Sequence, residues 1–119
     1  MGQQGVIMAG VMDKDKIAQL AQDAGEDMLP MLLEVFLEEL VHSQQELAQA
    51  GSAELAPVAH KIKGSAATFG ASALYNASGT LESVAKGIEV GDPGILKHEC
   101  LEIIQRTLQI YKSEFNIGQ

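Results

Sequence analysis

Apolar residues recur every three or four positions along most of the chain, which is the spacing of amphipathic helices. Glycine and proline residues divide this pattern into separate stretches. We predict helices over residues 13–24, 28–50, 52–69, 71–87 and 95–115, and no stretch alternates as a strand would. Four long helices joined by short loops favour an all-α fold, an antiparallel up-and-down four-helix bundle with a short additional N-terminal helix.

The helix ends and the apolar stripes make this prediction specific. Asp27 is the expected cap of the second helix and Ser52 that of the third, while Gly25 and Gly70 supply stops. The residues expected in the core share one face of each of the four long helices: Leu29, Leu32, Leu33, Phe36, Leu40 and Leu47; Leu55, Val58, Ala59, Ile62, Ala66 and Phe69; Leu74, Ala77, Leu81, Val84 and Ile88; Leu101, Ile104, Leu108, Tyr111 and Phe115.

The first twelve residues lack this pattern. Residues 1–12 contain three glycines and no helical period, so we expect a flexible leader, a cloning remnant or the end of a linker there, and one domain over residues 13–119. They also lack the charged start and long apolar core of a signal peptide. No apolar run approaches the roughly 20 residues that span a bilayer. The single cysteine, Cys100, cannot form an internal disulfide, and we expect a cytoplasmic location.

Charge and composition narrow the partners and cofactors. With a net charge of −8, the chain has no basic stripe that would bind nucleic acid. His98 and Cys100 lie two positions apart in a predicted helix and so face different ways, and we predict neither a metal site nor another cofactor. The glycines are too dispersed for a nucleotide-binding loop. No exposed heptad seam is visible, and we expect a monomer.

The third predicted helix contains the candidate chemistry. On a helical wheel, each residue advances by about 100°. His60 therefore lies about 140° from Leu55, well off the core stripe. Its neighbours one turn away include Lys63 and Gly64, so the imidazole has a bare surface and one cation beside it. A helical glycine costs about 1 kcal/mol relative to alanine. A phosphoryl-accepting histidine would explain why a glycine occupies position 64, because the missing side chain leaves space for the phosphoryl donor to approach the ring. Lys63 would offset the negative charge of the phosphoryl group. The alternative is a surface histidine beside a helix-packing glycine.

The hairpin of the third and fourth helices brings a carboxylate to the same height. His60 lies as many residues before Ala71 as Glu82 lies after it, so the two side chains are expected to be level. Glu82 could accept a hydrogen bond from Nδ1–H, which would leave Nε2 as the nucleophile. Lys86, one turn further, could be a second cation. The alternative is that Glu82 and Lys86 form an ordinary surface pair.

Residues 60–71 (HKIKGSAATFGA) resemble the phosphoacceptor motif of histidine phosphotransfer domains. That motif reads His, any residue, an apolar residue, Lys, Gly, two small residues and, after a gap, an apolar residue, Gly and Ala. The helical pattern over residues 13–115 extends the resemblance, and residues 29–36 (LPMLLEVF) are similar to the second helix of LuxU-type shuttles in quorum-sensing relays. The resemblance implies a bundle with an exposed acceptor imidazole midway along one helix.

The resemblance also implies roles and partners. His60 Nε2 would accept a phosphoryl group from an aspartyl phosphate on the receiver domain of a hybrid sensor histidine kinase. It would then pass the group to the receiver domain of a response regulator. Lys63 would match the cationic neighbour, Gly64 the clearing glycine and Glu82 the polar residue that bonds the ring, while Lys86 matches a second cation of some members. Mg²⁺ would be supplied by the partner receiver domain.

Two other classes of helical protein are alternatives to this family. In histidine kinase dimerisation domains the histidine is usually followed by an acidic residue and, about five positions on, by a proline. Here Lys61 and Ser65 occupy those positions, and the sequence carries no ATP-binding domain, so we predict no autonomous kinase activity. A helical adaptor without covalent chemistry is the remaining alternative. If the chain is a phosphotransfer domain, we expect its partner proteins to dock over an apolar patch around Ala56, Ala67 and the first helix.

Overall fold

The computed structural model describes residues 10–117, and it contains helices α1 (Lys14–Ala24), α2 (Leu29–Gln49), α3 (Ser52–Thr68), α4 (Ser72–Ala85) and α5 (Pro93–Phe115). In chain order α2 packs on α3, α3 on α4 and α4 on α5, and α5 returns to pack on α2. The four long helices therefore close into one antiparallel bundle, with α1 against α2. The predicted all-α fold is confirmed.

The start of α2 differs from the prediction. The N-cap is Met28, which makes no side-chain capping bond, and Asp27 lies in the preceding turn. The predicted Asp27 cap is therefore wrong. Pro30 occupies the first turn of α2, where a missing N–H costs little because helix-start N–H groups have no helical partner.

The start of α3 also differs. Ser52 is the first helical residue and Gly51 is the N-cap, so the predicted Ser52 cap is wrong. The Glu54 carboxylate accepts a hydrogen bond from the Gly51 backbone N–H at 2.7 Å. A glutamate in the first turn thus compensates for a cap residue that has no side chain.

The α4–α5 connection accounts for one misplaced core residue. Helix α4 ends at Ala85, Gly87 adopts φ +77°, and the Ile88 N–H donates to Ser83 O at 2.9 Å. This left-handed turn carries Ile88 away from the apolar stripe, and it is 76% exposed. The prediction that Ile88 is in the core is wrong. Helix α5 then starts earlier than predicted, because Asp92 accepts hydrogen bonds from two backbone N–H groups and caps it at Pro93.

The other predicted stripe residues are buried or half-buried, and their aromatic members gather at one end of the bundle. Phe36 of α2 stacks on Phe69 with 4.4 Å between ring centroids, and Tyr111 lies 5.4 Å from Phe36. The Tyr111 hydroxyl donates to the backbone oxygen of Phe69 at 2.7 Å. Aromatic packing and this hydrogen bond thereby fix the end of α3 against α2 and α5.

Hydroxyl residues also enter the core without having been predicted there. Ser78 and Thr107 are fully buried. Ser78 donates to Leu74 O at 2.6 Å and Thr107 to Ile103 O at 2.7 Å. Each hydroxyl thus bonds its own helix one turn back, which removes the cost of burying it.

Helix α1 joins the bundle at the α3–α4 turn. Gly70 adopts φ +70°, and the Asp13 N–H donates to Gly70 O at 2.7 Å. A Cβ at Gly70 would lie 2.8 Å from Asp13 O, so the close approach requires glycine. Val11 and Met12, which fell in the predicted leader, are buried with 3% and 2% exposure. The packed part of the chain therefore reaches at least to residue 11, while residues 1–9 lie outside the described part.

Candidate functional site

The site begins with an imidazole on the outer side of α3. Leu55, Ala59, Ile62 and Ala66 are buried on one face of this helix, and His60 lies off that face with 69% of its side chain exposed. The exposure agrees with the helical wheel. The ring is therefore accessible from outside the bundle.

Glu82 holds the other ring nitrogen. It lies on α4 opposite His60, and its Oε2 is 2.9 Å from His60 Nδ1. Its side chain is only 5% exposed, so this carboxylate is buried between α3 and α4. Because an ionised carboxylate only accepts hydrogen bonds, Nδ1 is the donor. The neutral ring then keeps its lone pair on Nε2, the atom that faces outward.

Two lysines surround the same carboxylate. Lys63 Nζ lies 2.9 Å from Glu82 Oε1, and Lys86 Nζ donates to Oε2 at 2.8 Å. The Lys63 contact is an ion pair whose angle departs from that of a hydrogen bond. Lys63 above all, then Lys86 and His60, lower the pKa of Glu82 to about 2, although burial opposes them. Glu82 in turn raises the pKa of Lys63.

This arrangement excludes the simplest alternative for Glu82. The Glu82–Lys86 pair does exist on one helix. However, Glu82 is buried and also contacts residues of a second helix, so it is not an ordinary surface pair. The structure also shows something that the sequence did not predict for Lys63, since in this state its ammonium is bound to Glu82.

Gly64 leaves open space beside the acceptor. A Cβ built on it would meet nothing within 4 Å among residues 10–117. Packing inside the described part of the chain therefore does not require this glycine, and the helix-packing alternative is wrong. Gly79 on α4 is different, because a Cβ there would lie 3.4 Å from Lys63 Cδ. Gly79 thus borders the Lys63 stem, whereas the space at Gly64 is open to an approaching molecule.

The family comparison identifies this arrangement. The sequence model of the Hpt domain family matches residues 27–110, which include the whole site. The chain belongs to the Hpt domain family. It is therefore a histidine phosphotransfer domain, an intermediate in phosphorelays.

Individual relatives agree with the family match. The chain is 35% identical over 104 residues to the phosphorelay protein LuxU of Vibrio cholerae, covering 84% of this chain and 92% of LuxU. It is 30% identical over 110 residues to LuxU of Vibrio harveyi, covering 89% and 96%. The crystal structure of histidine-containing phosphotransfer protein B from Pseudomonas aeruginosa PAO1 superposes with a TM-score of 0.81 at 23% identity, covering 93% of this chain and 99% of that one. That structural likeness shows the shared fold.

A groove lies on the same side of this Hpt domain as the acceptor. It has a volume of about 470 Å³, and its lining includes Asp13 and Lys16 of the α1 region together with Ala67, Gly70 and Tyr75. Ala67 lies two turns after His60 on one helical face. The groove therefore continues the exposed surface of the acceptor towards α1.

Pro57 is a feature of the Hpt domain surface that sequence reasoning missed. It lies inside α3, one turn before His60, and is exposed. A proline has no N–H, so the Ala53 carbonyl loses its helical partner. The signal was available, since a proline in a predicted helix interior is unfavourable by about 3 kcal/mol.

The remaining reactive side chains of the Hpt domain lie elsewhere. Cys100 is fully buried, and burial raises the pKa of its thiol to about 12. His98 is exposed and lies 3.6 Å from Glu102. Between residues 10 and 117 no three His, Cys, Asp or Glu side chains converge on a point where a metal ion would bind. In the same range no helix has the length and apolarity needed to cross a bilayer.

Proposed function

We propose that His60 is the phosphoacceptor of this Hpt domain. In this proposal Nε2 takes a phosphoryl group from an aspartyl phosphate on the receiver domain of a hybrid sensor histidine kinase. It then gives the group to the aspartate of a response regulator's receiver domain. The observation that carries the proposal is an exposed imidazole whose Nδ1 is bound to a buried, ionised glutamate.

The chemical step balances without an added acid or base. The Nε2 lone pair attacks phosphorus in line, the P–O bond to the partner's aspartate breaks, and the aspartate leaves as a carboxylate. Nδ1 keeps its proton, so the ring acquires positive charge. Glu82, 2.9 Å away, stabilises that charge. The same cationic ring is a good leaving group, so transfer to a second aspartate follows the reverse path.

Lys63 and Gly64 serve the phosphoryl group in this proposal. Lys63 lies one turn from His60 and is one-third exposed, and its ammonium would neutralise a phosphoryl oxygen. Gly64 leaves the turn beneath the ring bare, so the partner's phosphorylated loop can approach Nε2. Lys86 increases the positive charge of the site, which favours an anionic partner.

The receiver domains would dock over the groove beside His60. Ala56 and Ala67 are half-buried on α3 on either side of the acceptor, and α1 forms the far wall of the groove. The lining combines small apolar groups with the charged side chains of Asp13 and Lys16, and protein interfaces likewise combine apolar and polar groups. A monomeric chain would bind one receiver at a time there.

The chain depends on its partners for the phosphoryl group and the metal ion. It has no kinase activity of its own, because its phosphoryl source is the partner's aspartyl phosphate, and the partner also supplies Mg²⁺. No cofactor and no nucleic acid take part. We place the chain in the cytoplasm, and the reduced, buried Cys100 thiol is compatible with that compartment.

The direct test is transfer from a phosphorylated receiver domain to variants of the chain. Wild-type protein should gain a +80 Da adduct that is labile in acid and stable in base. His60→Gln should remain folded and gain none, whereas His98→Gln, which alters another exposed histidine, should be labelled as wild type. An unchanged adduct on His60→Gln would refute the assignment, as would failure of the wild type with receivers that label other Hpt domains.

A further inference from the structure

In the unphosphorylated site the Glu82 carboxylate contacts two lysines and a histidine. Lys63 contacts Oε1, whereas Lys86 and His60 Nδ1 share Oε2. With a neutral ring, these groups carry two positive charges and one negative charge. A phosphoryl group on Nε2 would add the second anion. The resting site therefore holds one more cation than its carboxylate requires.

We propose that Lys86 is a positioning residue that keeps Glu82 ionised and bonded to the ring, which frees Lys63 to move to the phosphoryl group. The inference rests on the proposed role of His60 and specifies how the site uses its two cations. It differs from the expectation that Lys86 contacts the phosphoryl group itself. In this scheme Lys86 pairs with Glu82 and Lys63 pairs with the phosphoryl group once His60 is phosphorylated.

The two lysine contacts differ in a way that selects Lys63 as the mobile one. Lys86 makes a hydrogen bond of 2.8 Å to Oε2, the oxygen that also holds Nδ1. Lys63 reaches Oε1 only as an ion pair. Lys63 also belongs to the same helix as His60, one turn away, so rotation of its side chain moves the ammonium towards Nε2. Lys86 lies on the helix of Glu82 and stays with that residue.

Burial explains why Glu82 needs a permanent cation. The Glu82 side chain is 5% exposed, and a buried carboxylate without a counter-ion is strongly unfavourable. Without Lys86, departure of Lys63 would leave this buried charge with no lysine as the phosphoryl group approaches, and with the cationic ring alone after transfer. Lys63 would then remain on Glu82 and leave the phosphoryl group without its cation. Lys86 thus acts on the reaction through Glu82.

A double-mutant cycle separates this mechanism from direct contact. Gln has nearly the shape of Glu and no charge, so in Glu82→Gln the residue needs no counter-ion. If Lys86 acts through Glu82, Lys86→Met should slow labelling by about tenfold in the wild-type background and by less than twofold in Glu82→Gln. If Lys86 touches the phosphoryl group, the slowing should be equal in both backgrounds, and that result would overturn the inference.

Controls keep the cycle interpretable. Lys86→Arg preserves a cation that can pair with Glu82 and should restore most of the rate. Lys61→Met breaks a similar lysine–glutamate contact, 2.6 Å to Glu46 on α2, and should leave labelling unchanged. Circular dichroism of each variant verifies folding. A wild-type chain that is never labelled at His60 would refute the proposed function, whereas labelling with equal Lys86→Met effects would refute only the role of Lys86.

Discussion

His60 Nδ1 and Glu82 Oε2 lie 2.9 Å apart although 22 residues separate them in the chain. The antiparallel hairpin of α3 and α4 produces this contact, because residues equally far from its turn are level. The pair joins an exposed reactive ring to a buried carboxylate, so the orientation of the ring depends on the core.

Removal of the carboxylate should slow transfer. Glu82→Ala removes a hydrogen bond to a charged acceptor, which contributes about 1.5–3 kcal/mol, so we expect labelling of His60 to slow roughly 10- to 100-fold. Nitrogen NMR of the ring should show loss of the Nδ1–H preference in the same variant. Equal rates for Glu82→Ala and wild type would contradict a role for this residue in the reaction.

The low pKa of Glu82 predicts a stability change in acid. Lysine and histidine contacts hold this pKa at about 2 in the folded chain, against an ordinary value of 4.5. The unfolded chain therefore takes up the proton first, so this contribution to stability is complete above pH 4.5 and is lost as the pH falls towards 2. Urea unfolding should show a steeper loss for the wild type than for Glu82→Gln in that range. Parallel curves would contradict the prediction.

Gly64 should affect stability and transfer in opposite directions. Because a Cβ there meets nothing within 4 Å in the described structure, Gly64→Ala should stabilise α3 by about 0.5–1 kcal/mol. A bulkier Gly64→Leu should hinder the partner and reduce labelling at least tenfold, whereas Ala48→Leu, at an exposed site on α2, should not. Thermal unfolding and the transfer assay measure the two effects. Normal transfer by Gly64→Leu would argue against steric clearance.

Gly70 and Gly87 form a matched pair for testing whether α1 packs against Gly70. Both have a left-handed backbone, with φ +70° and +77°, but a Cβ would contact Asp13 and Lys16 only at Gly70. Gly87→Ala should cost about 1–2 kcal/mol from the backbone alone. Gly70→Ala should cost about 1–3 kcal/mol more, because α1 must shift. Urea unfolding with amide exchange in α1 measures both, and equal losses would show that α1 is not seated on Gly70.

The sequence predicted whatever depends on helical period. The core stripes apart from Ile88, the exposure of His60 and the height of Glu82 follow from regular helices and a hairpin turn, and the structure agrees. It disagrees at helix ends, where Asp27 and Ser52 are not the caps, because capping depends on local backbone geometry that periodicity does not encode. The attachment of Lys63 to Glu82 was also missed, because the rotamer of a long side chain depends on charges from another helix.

The burial of Val11 and Met12 affects how this protein can be shortened. The family match starts at residue 27, yet these two residues and Ile17 belong to the hydrophobic core. A fragment trimmed to the matched segment would retain the acceptor and its lysines while uncovering the apolar surface beneath α1. Such a fragment should aggregate more readily than the intact chain, since Val11, Met12 and Ile17 would no longer cover that apolar surface.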